Sequence, residues 1–430
     1  MKKNCWLWLY LIALVVISPA GAAEPLTAQA MQLARDATAA ADEKDYPAYL
    51  AKMEEAVALR PDFPRMLVNL AAAQVANGKL DDAVGTLGRL AALGLHSPVE
   101  KSDEFAAVRD SKPFKAAVAK LAANLQPKGS GEIAFTLPEM TGLIEGIAWR
   151  EKTGEFFFGD VYDRAVWVRT ADKKVRRFSA ADAAFGIFGL AVDEAHGALW
   201  AATSAVPAMR GYTGELDSAA GLAEFDLASG ALRSLVRLPV THDHQTHVLG
   251  DLALAPDGSV YLPDSGASIL WRFTPGATEL EAFAQSPEFM SLQGVVVASD
   301  LGALFLADYA NGLLRVDLAS RKVSLLAAPP DTTLIGIDGL IRAPTGELLG
   351  IQNGVRPARV VKIALDRTGE TVAGVTVLES ARLNMPDPTL GCIATDGNLF
   401  FVGNAGWSHF EGDDIKPTAP RPVPIFKTKL

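Results

Sequence analysis

The feature that most limits the fold of this chain is a short unit that recurs six times after residue 130. Each copy has an apolar strand, a tight polar turn with glycine, and a second apolar strand that ends near Asp, Asn, Ser or Thr. The copies are EGIAWREKTGEFFFGD at 145, FGLAVDEAHGALWAAT at 188, DLALAPDGSVYLPD at 251, QGVVVASDLGALFLAD at 293, DGLIRAPTGELLGIQN at 338 and GCIATDGNLFFVGN at 391. Their starts are 43, 63, 42, 45 and 53 residues apart. Periods of about 40–50 residues with this content are typical of β-propeller blades.

A third apolar strand follows each of the first five copies, and PIFKTKL at 424–430 would be the third strand of the sixth. The sixth blade then lacks a fourth strand. GEIAFTLPE at 131–139, ahead of the first copy, can supply it, and this pairing would leave no open sheet edge. We therefore predict an all-β, six-bladed β-propeller over residues 133–430.

Residues 24–126 are rich in Ala, Leu, Lys and Glu, and apolar residues recur there at helical spacing, which predicts an N-terminal all-α domain. Five of them fall where a tetratricopeptide repeat places its interlocking side chains, so the segment resembles that family. These residues are Leu67, Leu70, Ala71, Ala83 and Leu87. Such an array implies either a bound partner protein or docking on the neighbouring domain. Residues 127–132 are the predicted linker.

The N-terminal residues 1–23 have the plan of a secretory signal peptide: Lys2 and Lys3, an apolar run and then small residues before Glu24. The apolar run is short for a membrane span, and an uncleaved anchor is the alternative. We therefore predict cleavage near Ala22 or Ala23, no stable membrane insertion afterwards, and an exported protein that is periplasmic or secreted.

Without the signal peptide the net charge would be −12, from 38 basic and 50 acidic residues. There is no basic run, so nucleic acid is not an expected partner. One cysteine, Cys392, would remain, which excludes an internal disulfide. We interpret Cys392 as a small core residue rather than a nucleophile.

Acidic and amide residues recur at one position of the repeat. In a propeller the first strand of each blade lines the central channel, and the residue that opens this strand points into the channel mouth. Down the six copies this position holds Glu145, Phe188, Asp251, Gln293, Asp338 and roughly Leu390 or Gly391. Converging carboxylates repel one another unless a cation sits among them, and oxygen ligands suit a hard cation, Ca²⁺ before Mg²⁺ or Mn²⁺.

We therefore predict that the chain binds a divalent cation at the channel mouth. The predicted metal ligands are Glu145, Asp251, Gln293 and Asp338. The alternative is that these residues accept hydrogen bonds from backbone NH groups at the strand ends.

Three histidines lie just before Asp251 in THDHQTHVLGD at 241–251. They are candidate general bases, ligands for a softer metal, or members of a solvated loop. The loop interpretation is favoured for His242 and His244. For His247 the functional and structural interpretations are evenly balanced, and we keep it as a candidate catalytic residue.

The motifs EGIAW at Glu145, GDLALAPDG at Asp251, QGVVV at Gln293 and DGLI at Asp338 resemble the senescence-marker-protein/gluconolactonase family. That family belongs to a wider group of six-bladed calcium propellers that includes paraoxonases and strictosidine synthases. The resemblance covers residues 135–430. The family has Glu, Asn, Asn and Asp at the matching positions around one divalent cation, so Asp251 and Gln293 depart from it but keep an oxygen ligand. The resemblance implies a lactonase with Asp338 as general base.

Two functions remain open. The first is an exported, metal-dependent hydrolase of a small-molecule lactone or ester, with Asp338 and His247 as candidate catalytic residues. The second is a non-catalytic sensor or scaffold, in which the propeller holds a structural Ca²⁺ and the helical domain binds a partner protein. A lyase of the strictosidine-synthase type is a third option, but no residue calls for an amine condensation.

Overall fold

A computed structural model of the chain describes residues 24–140, 142–180, 182–239, 246–410 and 421–430. The predicted signal peptide lies outside the described residues, and so do His242 and His244. No helix within the described ranges is long and apolar enough to cross a membrane.

Five helices form the first part of the chain: α1 (Leu26–Asp42), α2 (Tyr46–Leu59), α3 (Pro64–Ala76), α4 (Leu80–Ala92) and α5 (Lys112–Ala123). Consecutive helices pack against each other, and the five residues predicted to interlock are all buried. Gln74, where the tetratricopeptide family usually has an aromatic residue, accepts a hydrogen bond from the buried Thr86 hydroxyl at 2.8 Å. The paired helices are thus observed, which supports the tetratricopeptide resemblance in part.

The rest of the described chain forms six four-stranded antiparallel sheets, which confirms the predicted six-bladed propeller. Blades one to three consist of β2 (Ile144–Arg150), β3 (Glu155–Asp160), β4 (Ala165–Arg169) and β5 (Val175–Arg177); β6 (Gly186–Asp193), β7 (Ala198–Ser204), β8 (Ala220–Asp226) and β9 (Leu232–Arg237); β10 (Ala253–Leu254), β11 (Val260–Asp264), β12 (Ile269–Phe273) and β13 (Glu281–Gln285). Blades four to six consist of β14 (Leu292–Ala298), β15 (Ala303–Asp308), β16 (Gly312–Asp317) and β17 (Val323–Leu326); β18 (Ile337–Arg342), β19 (Leu348–Gln352), β20 (Arg359–Leu365) and β21 (Val372–Ser380); β22 (Gly391–Ile393), β23 (Leu399–Val402), β24 (Arg421–Thr428) and β1 (Glu132–Met140).

The ring closes as the sequence predicts. Strand β1 pairs antiparallel with β24 and is therefore the fourth strand of the sixth blade. The buried carboxylate of Glu379, near the end of β21, accepts hydrogen bonds from Gly131 N at 2.6 Å and from the Thr428 hydroxyl at 2.5 Å. It thereby joins the fifth blade to β24 and to the residue immediately ahead of β1.

Aspartates at the ends of three second strands hold the loops at the channel mouth. These residues, Asp160, Asp264 and Asp308, are fully buried. Asp308, for example, accepts hydrogen bonds from Met290 N ahead of the first strand and from Asn311 N after the second strand, at 2.7 and 2.8 Å. Because a buried carboxylate needs such donors, the recurring strand-end aspartate has a structural role.

The helical domain docks on the channel-mouth face of the propeller. Arg60, at the end of α2, donates to Asn311 Oδ1 at 2.9 Å and to Asn311 O at 3.1 Å. Arg359 Nη1 of β20 donates to Leu93 O, at the end of α4, at 2.7 Å. Asn311 and the segment ahead of Arg359 follow second strands, which end at the face where the first strands begin. Of the two uses predicted for the helices, docking is therefore observed.

Candidate functional site

The predicted channel-mouth residues lie at irregular points where the first strands begin. The pairing register between first and second strand shifts around Glu145 in blade one, around Gln293 in blade four and around Asp338 in blade five. A β-bulge of this kind re-aims a side chain and is common beside functional sites. Asp251 lies two residues ahead of the short β10.

The glycines that follow several of these positions allow adjacent first strands to approach closely. A Cβ on Gly294 would lie 2.5 Å from Leu340 N and 2.6 Å from Asp338 O. A Cβ on Gly189 would lie 2.6 Å from Asp251 Oδ1. The backbone of one blade is therefore in direct contact with the channel-mouth residue of the next blade.

Gly294→Ala is expected to lower the free energy of unfolding by about 2–3 kcal/mol, because the added methyl group meets backbone atoms that cannot move alone. The matched control is Gly374→Ala in β21, where a Cβ has nothing within 4 Å. Urea unfolding of both variants checks the prediction. Equal stability of the two variants would contradict the close approach at Gly294.

Glu145, Asp251 and Asp338 are within electrostatic range of one another. Burial raises the pKa of all three carboxyl groups, and the charge of Asp338 further raises the pKa values of Glu145 and Asp251. The pKa values of Asp251 and Asp338 rise from 3.8 to about 7. Both side chains keep some contact with solvent at the channel mouth, yet enough protein surrounds them that burial is the main cause.

Hydrogen bonds partly oppose these shifts and fix the carboxylates in place. Trp407 Nε1 donates to Glu145 Oε2 at 2.9 Å, and Val295 N donates to Asp251 Oδ2 at 3.3 Å. The alternative interpretation, in which these residues accept hydrogen bonds from backbone NH groups, thus applies to Asp251. These hydrogen bonds lower the pKa of Asp251 by less than burial raises it.

Asp387 is a fourth acid of this set that the sequence analysis missed. Its charge raises the pKa values of Glu145 and Asp338. Its Oδ2 accepts hydrogen bonds from Gly406 N and Trp407 N, both at 2.9 Å. Asp387 lies in NMPDP at 384–388, ahead of the position where the repeat register predicts the sixth channel residue. Its place a few residues ahead of Leu390 was the sequence signal that could have identified it as a channel-mouth acid.

No Lys or Arg is among the described groups that set the pKa values of Glu145, Asp251 and Asp338. Burial raises the pKa of Asp387 as well, although its backbone hydrogen bonds and the charges of Arg421 and His409 oppose that rise. The first three acids are therefore not neutralised by a basic side chain of the described chain.

The candidate metal ligands suit a hard divalent cation, because each of them offers a carboxylate or amide oxygen. The described residues nevertheless contain no group of three or more His, Cys, Asp or Glu side chains with the geometry of a metal site. Binding of one ion would therefore require the carboxylates to draw closer together, with further oxygens completing the set.

Gln293 is placed to supply one such oxygen. Its Nε2 donates to Ser291 Oγ at 3.3 Å, and its Oε1 lies 3.6 Å from where a Cβ on Gly250 would be. The amide oxygen thus lies next to the backbone that immediately precedes Asp251.

His247 is buried, with 4% of its side chain exposed, and is paired with an aspartate of the strand-end type. Its Nδ1 lies 2.6 Å from Asp264 Oδ2, which also accepts from Trp271 Nε1 at 3.0 Å. His247 Nε2 is buried without a hydrogen-bond partner among the described residues. His247 is not among the groups that shift the pKa values of the four acids, so its catalytic role remains a prediction.

The channel continues below the mouth as a cavity of about 310 Å³ lined by the first strands. It extends from Asp251 to Arg342 and Cys392. Burial raises the pKa of the Cys392 thiol above its usual range, which disfavours the reactive thiolate.

Protein stripped of metal is expected to lose stability as the pH rises from about 4 to about 7. Asp251 and Asp338 have pKa values of about 7 in the folded state, above the value near 4 of an unfolded chain. The folded state therefore binds protons that the unfolded state has released, and its advantage disappears as the pH passes 7. With a discount for contact with solvent, each carboxylate contributes about 2 kcal/mol.

Urea unfolding in EDTA between pH 4.5 and 8 measures this effect. The free energy of unfolding of Asp251→Asn is expected to depend less on pH than that of the wild type. Asp331→Asn, at an exposed position, should leave the pH dependence unchanged. Wild-type stability that is flat or rises over this range would contradict the buried acid cluster.

No protein-family model matches the sequence, and no curated protein matches it. Solved structures with a similar fold include a gluconolactonase from Xanthomonas campestris, at 17% identity and a TM-score of 0.44, over 67% of this chain and 88% of that one. The PQQ-bound aldose sugar dehydrogenase of Streptomyces coelicolor matches at 14% identity and a TM-score of 0.46, over 70% and 99%. A virginiamycin B lyase from Staphylococcus aureus matches at 11% identity and a TM-score of 0.45, over 71% and 89%. At such TM-scores these likenesses carry no argument about the function of this chain.

Proposed function

We propose that this protein is an exported hydrolase of lactones or esters that works with a divalent cation, Ca²⁺ first, at the channel mouth. The observation that carries the proposal is the set of four acids formed by Glu145, Asp251, Asp338 and Asp387, whose charges act on one another. Glu145, Asp251 and Asp338 have no basic partner among the described residues, and the ionised form of such buried acids is unfavourable unless a cation joins them. Strongly perturbed acids in a cleft are also a common feature of catalytic sites.

The choice of lactones and esters rests on the motifs around Glu145 and Asp338, and export rests on the N-terminal pattern. A bound divalent cation would polarise the substrate carbonyl and acidify a water molecule. The residues that would hold it are Glu145, Asp251, Gln293 and Asp338. The protein would also position the side chains that accept and donate protons.

Asp338 is the candidate general base. Asn353 Nδ2 donates to Asp338 Oδ2 at 2.7 Å, and no hydrogen bond within the described part of the chain uses Oδ1. One carboxylate oxygen is thus fixed by the protein, and the other is left to accept a proton from the attacking water.

His247 is the second candidate catalytic residue. The contact between Nδ1 and Asp264 would keep the ring proton on Nδ1 and leave Nε2 as an acceptor. Because His247 is only 4% exposed, this role would require its Nε2 to become accessible to the substrate.

A panel of lactones and aryl esters, assayed with Ca²⁺ and with EDTA, tests the proposal. We expect hydrolysis that EDTA removes and added Ca²⁺ restores. Tight calcium binding with no turnover on any member of the panel would contradict the hydrolase and favour the scaffold function.

A further inference from the structure

Two adjacent blades fix the carboxylate of Asp338 through a short chain of hydrogen bonds. Asn353 Nδ2 donates to Asp338 Oδ2 at 2.7 Å, and the Tyr309 hydroxyl donates to Asn353 Oδ1 at 3.0 Å. Because the hydroxyl occupies the amide oxygen, the amide nitrogen of Asn353 is turned toward Asp338. Tyr309 follows the second strand of blade four, and Asn353 follows the second strand of blade five.

The segment that carries Asn353 is also the segment that the helical domain contacts. Val355 packs against the apolar core of the helices. Arg356 O accepts a hydrogen bond from His96 N at 2.7 Å, and Arg359 Nη1 donates to Leu93 O at 2.7 Å. These three contacts all involve the chain between Asn353 and the start of β20.

The propeller confines the same segment from the other side. Gly354 N donates to Gly336 O at 3.0 Å, and a Cβ on Gly354 would lie 2.6 Å from both Gly336 Cα and Tyr309 Cζ. Two residues after Tyr309, Asn311 is bound by Arg60 of the helical domain. A shift of Gly354 toward the propeller would therefore displace Tyr309.

We infer that Asn353 is a positioning residue for the channel-mouth site and that the helical domain holds it there through Val355, Arg356 and Arg359. The inference rests on the proposed function, because it concerns how firmly Asp338 is presented to a bound cation. It makes the helices a structural part of the site, beyond their docking on the propeller. Partners that orient a metal ligand typically change metal affinity by about 10–100-fold when they are removed.

Terbium titration of the full chain tests this inference. Tb³⁺ prefers the same oxygen ligands as Ca²⁺, and Trp407, whose Nε1 lies 2.9 Å from Glu145 Oε2, can sensitise its luminescence. We expect Asn353→Leu to weaken terbium affinity about tenfold, and Tyr309→Phe and Val355→Ser to weaken it by about threefold each. The double variant of Asn353 and Val355 should bind no more weakly than Asn353→Leu alone, because both changes act through one contact.

Val206→Ser is the matched control. Val206 is a partly buried valine in the loop after the second strand of blade two, and the substitution should leave terbium affinity unchanged. A wild-type protein that binds no terbium would overturn the proposed cation function, and this inference with it. If the wild type binds terbium, three results would overturn this inference while leaving the cation function standing. These are an unchanged terbium affinity in Val355→Ser, an unchanged affinity in Asn353→Leu, or additive losses of affinity in the double variant.

Discussion

Asp338→Asn is expected to reduce cation-dependent hydrolysis by a factor of about 10²–10⁴ and, at the same time, to make the metal-free protein more stable at pH 8. The loss of rate follows from removal of the proposed base and of one proposed metal ligand. The gain in stability follows because burial raises the pKa of Asp338 to about 7, so the wild-type protein holds an unfavourable charge at pH 8. An amide keeps the size of the side chain and can still accept the hydrogen bond from Asn353. We expect the gain to be about 2 kcal/mol after a discount for solvent at the mouth.

Asp308→Asn is the matched control for this prediction. Asp308 is a buried aspartate of the neighbouring blade whose two oxygens accept four backbone hydrogen bonds, from Met290, Ser291, Ala310 and Asn311. Burial raises the pKa of Asp308 too, but an amide can accept at only one of its two ends, so two backbone donors would lose their acceptor. We expect that loss to outweigh the removed charge and to make this variant less stable than the wild type by about 2 kcal/mol. Measurements of kcat/KM and of urea unfolding in EDTA distinguish the two aspartates. A wild-type rate in Asp338→Asn, or a loss of stability like that of Asp308→Asn, would contradict a functional role for Asp338.

Removal of residues 421–430 is expected to prevent folding of the propeller. Strand β24 lies between β23 and β1, so its loss leaves β1 without its partner and opens the ring. Val423 and Ile425 of this strand are fully buried in the core between the sixth and first blades. The exposed edges and apolar surface that remain would favour aggregation. Circular dichroism and the soluble yield of the truncated chain measure the outcome.

A shorter truncation separates the strand from the chain terminus. Residues 429–430 are exposed and lie beyond β24, so their removal should leave the unfolding midpoint unchanged. Ile425→Asp places a charge in the core of the closure and should resemble the longer truncation. A cooperative, native-like unfolding transition in the chain that ends at residue 420 would show that the closure is dispensable.

The blade architecture could be predicted from sequence because each blade repeats the same local pattern. The alternation of short apolar strands and glycine turns marks every copy. The third strand at 424–430 has no following strand, which predicts that GEIAFTLPE pairs with it as the fourth strand of the sixth blade. Glu145, Gln293 and Asp338 could be predicted for the same reason, because the bulges that orient them recur at one position of the repeat.

The remaining parts of the site depend on contacts that no local pattern records. Asp387 lies outside the repeat register, and Asn353 and Tyr309 act on Asp338 from loops that follow other strands. Arg60 and Asn311 are 251 residues apart in the chain, so the docking of the helices follows from tertiary structure alone. Arg60 and Asn311 connect the helical domain to the loop that carries Tyr309.

Equilibrium dialysis of metal-stripped protein against Ca²⁺ at pH 8 tests most directly whether the channel-mouth carboxylates bind one divalent cation. We expect about one bound Ca²⁺ per wild-type chain, and none in a chain that carries both Glu145→Gln and Asp338→Asn. If the wild type retains no Ca²⁺ at millimolar concentration, or the double variant retains as much as the wild type, these acids do not form a cation site.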